Sequence, residues 1–146
     1  MTSISRFRVR YAETDQMGVV YYGNYFVWME IGRTELLRGM GLPYAELEKQ
    51  GIMLPVAKAF AKYIAPSYYD DEISVHSTVT RFTASRIRVD YRIMRDAVPE
   101  GAQIVCVGYT EHAFISKETR KVVHAPSDIA EKVRIPANAE DLMTRV

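Results

Sequence analysis

Asn24-Tyr25-Phe26-Val27-Trp28-Met29-Glu30-Ile31-Gly32-Arg33-Thr34-Glu35-Leu36-Leu37-Arg38 decides the fold, because no other part of the chain reads as a substantial helix. Asn24 is a candidate cap, and Gly39 and Gly41 follow the last apolar turn. The first half is apolar nearly all round, as in a helix enclosed by other structure. Gly32 lies inside it despite a cost of about 1 kcal/mol relative to Ala, which points to a close backbone approach there.

Before this helix, a glycine-punctuated stretch from Met17 to Gly23 is preceded by Ile4-Ser5-Arg6-Phe7-Arg8-Val9-Arg10-Tyr11, which alternates apolar and polar residues as a strand with one wet face does. After it, a short helix from Pro43 to Lys49 is stopped by Gly51. The pattern then changes to strands: Leu54 to Ile64, Glu72 to Phe82, Ser85 to Arg95, Gln103 to Ser116, and a short one from Lys121 to His124. Pro66 to Asp71, Thr83-Ala84 and Val98-Pro99-Glu100-Gly101 are the turn signals between them. In the third of these strands Ile87, Val89, Tyr91 and Ile93 mark one face. Arg86, Arg88, Asp90 and Arg92 mark the other, which is expected to be solvated.

A long helix against an antiparallel sheet of about five strands is an α+β domain, and residues 1–146 read as one such unit with no linker or repeat. One helix covers one sheet face only. The apolar surface left over points to a homo-oligomer, most simply a two-fold dimer.

Composition narrows the function. Of 146 residues 48% are hydrophobic and 25% charged, an ordinary globular balance rather than that of a disordered chain. Nineteen basic against 18 acidic residues leave a net charge of +1, so no strong field invites nucleic acid or an anionic membrane. Apolar runs end well short of the roughly 20 residues that span a bilayer, so no membrane insertion is expected. The single Cys106 cannot form an internal disulfide, and no apolar leader follows the first charges, which together predict the cytoplasm.

Chemistry concentrates in Tyr11-Ala12-Glu13-Thr14-Asp15-Gln16-Met17-Gly18-Val19-Val20-Tyr21-Tyr22-Gly23-Asn24-Tyr25-Phe26, which runs from a strand end through a turn into the helix. A helix N-terminus presents unpaired N–H groups and a positive dipole end to an oxyanion. Gly23 would admit a ligand close to the backbone, and a carboxylate at Asp15 could act as nucleophile or as general base on water. An Asp before a glycine-containing turn is more often a turn residue or cap, so spacing by itself leaves its role open. Glu13 and Asp15 would share a strand face if the chain stayed extended, but solvation of both in a loop is the simpler expectation.

The run "YAETDQMGVVYYGNYFVWMEIGRTELLR" closely resembles the Asp-containing motif of hot-dog-fold acyl-CoA thioesterases of the 4-hydroxybenzoyl-CoA thioesterase type, including the short bacterial thioesterases linked to the Tol-Pal cluster. "KYIAPSYYDDEISVHSTV" and "GYTEHAFIS" are similar to later segments of that family, so the resemblance spans Phe7 to Pro126. It implies a hot-dog fold, an antiparallel sheet wrapped around one long central helix. It also implies an acyl-CoA substrate, no cofactor, and a homodimer or a homotetramer built from such dimers.

By the same resemblance Asp15 is the catalytic carboxylate, and a backbone N–H in Tyr22-Gly23-Asn24, above all that of Tyr22 with Gly23 beside it, is the oxyanion hole. Gly18, Asn24 and Tyr25 are expected at the substrate. Coenzyme A carries three phosphates, and among Lys58, Lys62, Arg81, Arg86, Arg88 and Arg92 the residues Lys62 and Arg88 are expected to meet them. Many relatives carry His where this chain has Tyr22. Tyr is a much weaker base near neutral pH, so Tyr22 serves if that position only lines the site. Two alternatives stay open: an acyl-carrier-protein thioesterase of this fold and a non-catalytic acyl-thioester-binding protein. Hydratases of the fold rely on a His near the helix start, which is absent here.

Other candidates read as structure. His76, His112 and His124 are scattered on strands, and Cys106 lies in an apolar one. There is no Gly-x-Ser-x-Gly elbow, no phosphate loop and no metal-ligand spacing. Acyl specificity is expected around Gln16, Met17, Ile52, Met53 and Lys58 to Tyr63.

Overall fold

In the computed structural model, which describes residues 1–96 and 101–146, the apolar stretch folds as α1 (Asn24–Gly39). Tyr25, Trp28, Met29, Gly32, Arg33, Leu36 and Leu37 are its buried residues, the three- and four-residue spacing of one helix face. The opposite face is not enclosed: Val27 and Ile31 are 46% and 40% exposed within the single chain. Gly32 is where α1 comes down on the sheet, since a Cβ there would strike Ser77 Oγ and stand 2.7 Å from Val75 Cγ1.

The sheet has five antiparallel strands in the order β1 (Thr2–Arg8), β4 (Glu72–Phe82), β5 (Arg86–Arg95), β6 (Gln103–Ala113), β3 (Val56–Tyr63). Register places Phe7 opposite Ile73, Val75 opposite Ile93 and Ile93 opposite Cys106. These apolar residues back onto α1 and form the core with Trp28, Met29 and Leu36. α1 packs against β1, β4 and β5. The hot-dog arrangement and its antiparallel sheet are as expected, although α1 lies along the sheet with one flank open rather than fully wrapped.

Several boundaries differ from the sequence reading. β1 stops at Arg8 instead of reaching Tyr11, because Tyr11–Glu13 turn as a 3-10 helix that swings Glu13 under α1. The strand expected from Leu54 begins at Val56, and Ile52–Met53 form a separate β2 paired with β7 (Ile115–Ser116). The strand expected over Lys121 to His124 reduces to one bridge, Val122 with Ile115, after Arg120 takes a left-handed φ of 64°. α2 covers Tyr44–Lys49 with Pro43 as its cap. The hairpin at Thr83-Ala84 is closed by the Thr83 amide donating to Arg86 O at 2.9 Å. The turn expected at Val98 to Gly101 falls largely outside the described residues.

The polar face of β5 is solvated only towards its ends, at Arg86 and Arg92, and not throughout as expected. Arg88 and Asp90 are buried, because the chain after α3 (Ser127–Lys132) returns through α4 (Ala139–Leu142) and lays Thr144 over them. The Thr144 amide donates to Asp90 Oδ2 at 2.6 Å, and its carbonyl accepts from Arg88 Nη2 at 2.8 Å.

Candidate active site

The segment between β1 and α1 is a tight loop closed on itself. Thr14 bridges Val20, the Asp15 amide donates to Val19 O at 2.9 Å, and the Gly18 amide returns to Asp15 O at 3.0 Å. Gly18 makes this turn with φ +80°, a left-handed conformation that favours glycine. Asp15 Oδ1 accepts the Met17 amide at 2.9 Å, so the carboxylate is oriented by its own loop while remaining half-exposed.

Glu13 anchors that loop to the helix. It is 4% exposed, and its carboxylate accepts the Trp28 indole N–H at 2.7 Å and the Arg10 amide at 2.8 Å, with Arg10 Nε at 3.4 Å. Its carbonyl accepts the Tyr21 amide and Asn24 Nδ2, each at 2.9 Å. Asn24 therefore does not cap α1. Gly23 is the capping residue, and Asn24 ties the first helical turn back to the Asp15 loop.

Asp15, Met17, Tyr22, Tyr25, Tyr63 and Ile64 are among the walls of a cleft of about 320 Å³ at the start of α1. Among the described residues, neither the Tyr22 nor the Gly23 amide has an acceptor within the protein. Tyr25 is buried, its hydroxyl donating to Ser67 Oγ at 3.2 Å, and its burial pushes the phenol above its ordinary pKa. Trp28 and Tyr63 pack edge-on against its ring, with centroids at 4.8 and 5.4 Å. A larger groove of about 460 Å³ runs beside Arg6, Arg8, Glu72 and Asp96, but it holds neither Asp15 nor the start of α1.

Of the residues expected in the site, Asp15, Tyr22 and Tyr25 line one cleft, while Gly18, Gly23 and Asn24 build the turn beneath it. Lys62 is exposed on β3 next to Tyr63, outside the cleft lining. Arg88 is not brought there. Its guanidinium is bound to Asp90 at 2.8 Å, to Glu111 at 3.8 Å and to the Thr144 carbonyl, and it stacks 3.8 Å over the Tyr109 ring. Met17 and Tyr63, expected near the acyl group, do line the cleft, whereas Glu13 and Ser67 are the site residues whose part sequence reasoning missed. Glu13, two residues before Asp15, was the one with a signal, though it read as solvated.

Cys106 and His112 are buried in the core, apart from this cleft. Burial pushes the Cys106 thiol up to about 12, so it holds no thiolate near neutral pH. Burial also pulls His112 down to about 4. Its Nδ1 donates to Leu54 O at 3.0 Å and its Nε2 accepts the Thr110 hydroxyl at 2.8 Å, continuing a chain through Tyr91 to Arg33. Among the described residues, no three His, Cys, Asp or Glu side chains are placed to hold a metal ion. Among the described residues, no helix is long and apolar enough to cross a membrane.

A five-stranded antiparallel sheet backed by one main helix, with a carboxylate-bearing loop at that helix's N-terminus, is the architecture of a hot-dog protein. The chain belongs to the thioesterase-like superfamily, whose family model matches residues 9–133. It is 36% identical over 115 residues to YneP of Bacillus subtilis, provisionally named an acyl-CoA thioesterase, covering 79% of this chain and 80% of that one. The solved DHNA-CoA thioesterase of Staphylococcus aureus superposes with a TM-score of 0.82 at 33% identity, over 90% of this chain and 87% of its own. The 1,4-dihydroxy-2-naphthoyl-CoA thioesterase Slr0204 of Synechocystis gives a TM-score of 0.80 at 26% identity, over 91% and 96%.

Proposed function

We propose that this chain hydrolyses acyl-CoA thioesters, with Asp15 as the reacting carboxylate and the N–H groups of Tyr22 and Gly23 as the oxyanion hole. One observation carries the reading: the oriented Asp15 carboxylate and Tyr22 line the same cleft, and the Tyr22 and Gly23 N–H groups beside it, at the positive end of α1, have no acceptor among the described residues. The membership of the family and the names of its relatives support it.

The chemistry asks little of the protein. A thiolate leaves readily, so no acid is needed for the leaving group. As nucleophile, Asp15 adds to the thioester carbonyl carbon, the C–S bond breaks to release the coenzyme thiolate, and water then hydrolyses the mixed anhydride. As general base, it takes a proton from the water that attacks directly. Both routes place negative charge on the carbonyl oxygen, where one preorganised donor contributes about 3–4 kcal/mol. The backbone supplies that donor, so the Tyr22 side chain can differ from His without loss.

Assembly and location follow from the same surfaces. β3 is an edge strand that pairs with β6 alone, and its outer side offers unpaired backbone groups to a second copy. This supports a homodimer through β3, with a tetramer of such dimers as the larger form. Lys62 on that strand is the candidate for a coenzyme phosphate. One buried thiol in the whole chain suits the reducing cytoplasm.

The test is thiol release from acetyl-, palmitoyl- and benzoyl-CoA, with wild type and Asp15→Asn side by side. Turnover that falls by at least about a hundredfold in a folded Asp15→Asn protein is expected. Unchanged turnover in the variant removes Asp15 from the chemistry, and a folded wild type silent across the panel overturns acyl-CoA hydrolysis.

A further inference from the structure

Tyr63 closes β3 and is the first residue of the Tyr-Ile-Ala-Pro run at positions 63–66. Its hydroxyl reaches across the cleft mouth and donates to the carbonyl oxygen of Tyr22 at 3.1 Å. That carbonyl and the Gly23 N–H belong to one planar peptide group, so fixing the oxygen fixes the direction in which the N–H points. The Tyr25 amide also donates to Tyr22 O, at 3.3 Å. Donors on a carbonyl polarise the whole amide and strengthen its N–H as a donor.

The tyrosine is held for this task. Its ring packs edge-on against Tyr25 at 5.4 Å and Tyr22 at 6.2 Å. Partial burial lifts the phenol above its ordinary pKa, so the hydroxyl keeps its proton through neutral pH. The Gly23 N–H has no acceptor among the described residues, and the cleft that Tyr63 lines also contains Asp15.

We propose that Tyr63 is a positioning residue that orients and polarises the Tyr22–Gly23 peptide, so that the Gly23 N–H meets the oxyanion of the thioester in the transition state. This rests on the hydrolytic reading above. The edge strand thereby holds in place a peptide of the helix N-terminus that forms the oxyanion hole.

Tyr63→Phe keeps the ring and deletes only the hydroxyl. In the heteronuclear amide spectrum the Gly23 proton is expected to move upfield. With the fastest substrate among acetyl-, palmitoyl- and benzoyl-CoA, kcat should fall about tenfold, less than the loss of an entire oxyanion donor, with KM within about twofold. Tyr63→Leu, which also removes the ring, should raise KM in addition. A tyrosine that merely lined the cleft would move KM and leave the Gly23 resonance in place. An unmoved Gly23 resonance, or an unchanged kcat in Tyr63→Phe beside an inactive Asp15→Asn, overturns the proposal and leaves the hydrolytic reading standing. A wild type silent across the panel fails that reading, and the amide shift still decides whether Tyr63 holds the peptide.

Discussion

The indole N–H of Trp28 donates at 2.7 Å to Glu13 Oε2, joining the core of α1 to the loop that carries Asp15. Trp28 is fully buried and Phe7 packs edge-on against it at 5.4 Å, so this bond has a rigid base. Trp28→Phe leaves a buried carboxylate oxygen without that donor, which costs about 1–3 kcal/mol. Glu13→Ala removes the other end of the same bond. Urea unfolding of both single variants and the double variant should show the double losing less than the sum. Full additivity would mean that the two side chains act independently.

Asp90 is 3% exposed and accepts from Arg88 Nε at 2.8 Å, Arg88 Nη2 at 3.1 Å, Thr80 Oγ1 at 2.5 Å and the Thr144 amide at 2.6 Å. Asp90→Ala leaves the Arg88 guanidinium with Glu111, at 3.8 Å, as its remaining carboxylate, and removing one member of a buried pair costs about 3–5 kcal/mol. The segment from Ala139 onward should then become sensitive to protease under native conditions. Replacing both, as Arg88→Met with Asp90→Leu, should recover part of the loss. A stable Asp90→Ala protein with a protected tail would show that the pair does not hold the segment down.

His112 titrates at about 4 when folded, against 6.5 when unfolded, because burial disfavours its charged form. As pH falls below 6.5 the unfolded chain takes up a proton that the native one refuses, so stability is full above 6.5 and drops until about 4. At about 1.4 kcal/mol per pH unit, the loss reaches up to roughly 3 kcal/mol. Thermal unfolding between these limits should flatten in His112→Gln. An unaltered slope in the variant would assign the acid sensitivity to other groups.

Gly32→Ala improves helix propensity by about 1 kcal/mol, yet the new methyl would strike Ser77 Oγ and meet Val75 Cγ1 at 2.7 Å. Both lie on β4, a central strand that cannot retreat without disturbing its pairing with β1 and β5. Overpacking of this kind costs typically 1–3 kcal/mol, so a net fall in the urea midpoint is expected. A midpoint at or above wild type would show that α1 can lift off the sheet freely.

Short-range pattern was enough for much of this molecule. The alternation of Ile87, Val89, Tyr91 and Ile93 fixed which face of β5 turns inward, and the bounds of β4 are those read from its residues. The start of α1, its internal glycine and the placing of Asp15 in a loop at its N-terminus were equally legible. Side-chain direction follows a period of two or 3.6 residues and needs no knowledge of distant chain. Whether a charge is solvated depends on what arrives over it. Trp28 reaches Glu13 from 15 residues away, Tyr63 reaches Tyr22 from 41, and Thr144 reaches Asp90 from 54. Those meetings buried Glu13, covered the middle of the polar face of β5 and tied Arg88 to Asp90 and Thr144, away from the Asp15 cleft. They are set by how the sheet folds over α1 and where the chain returns, information that local periodicity does not contain.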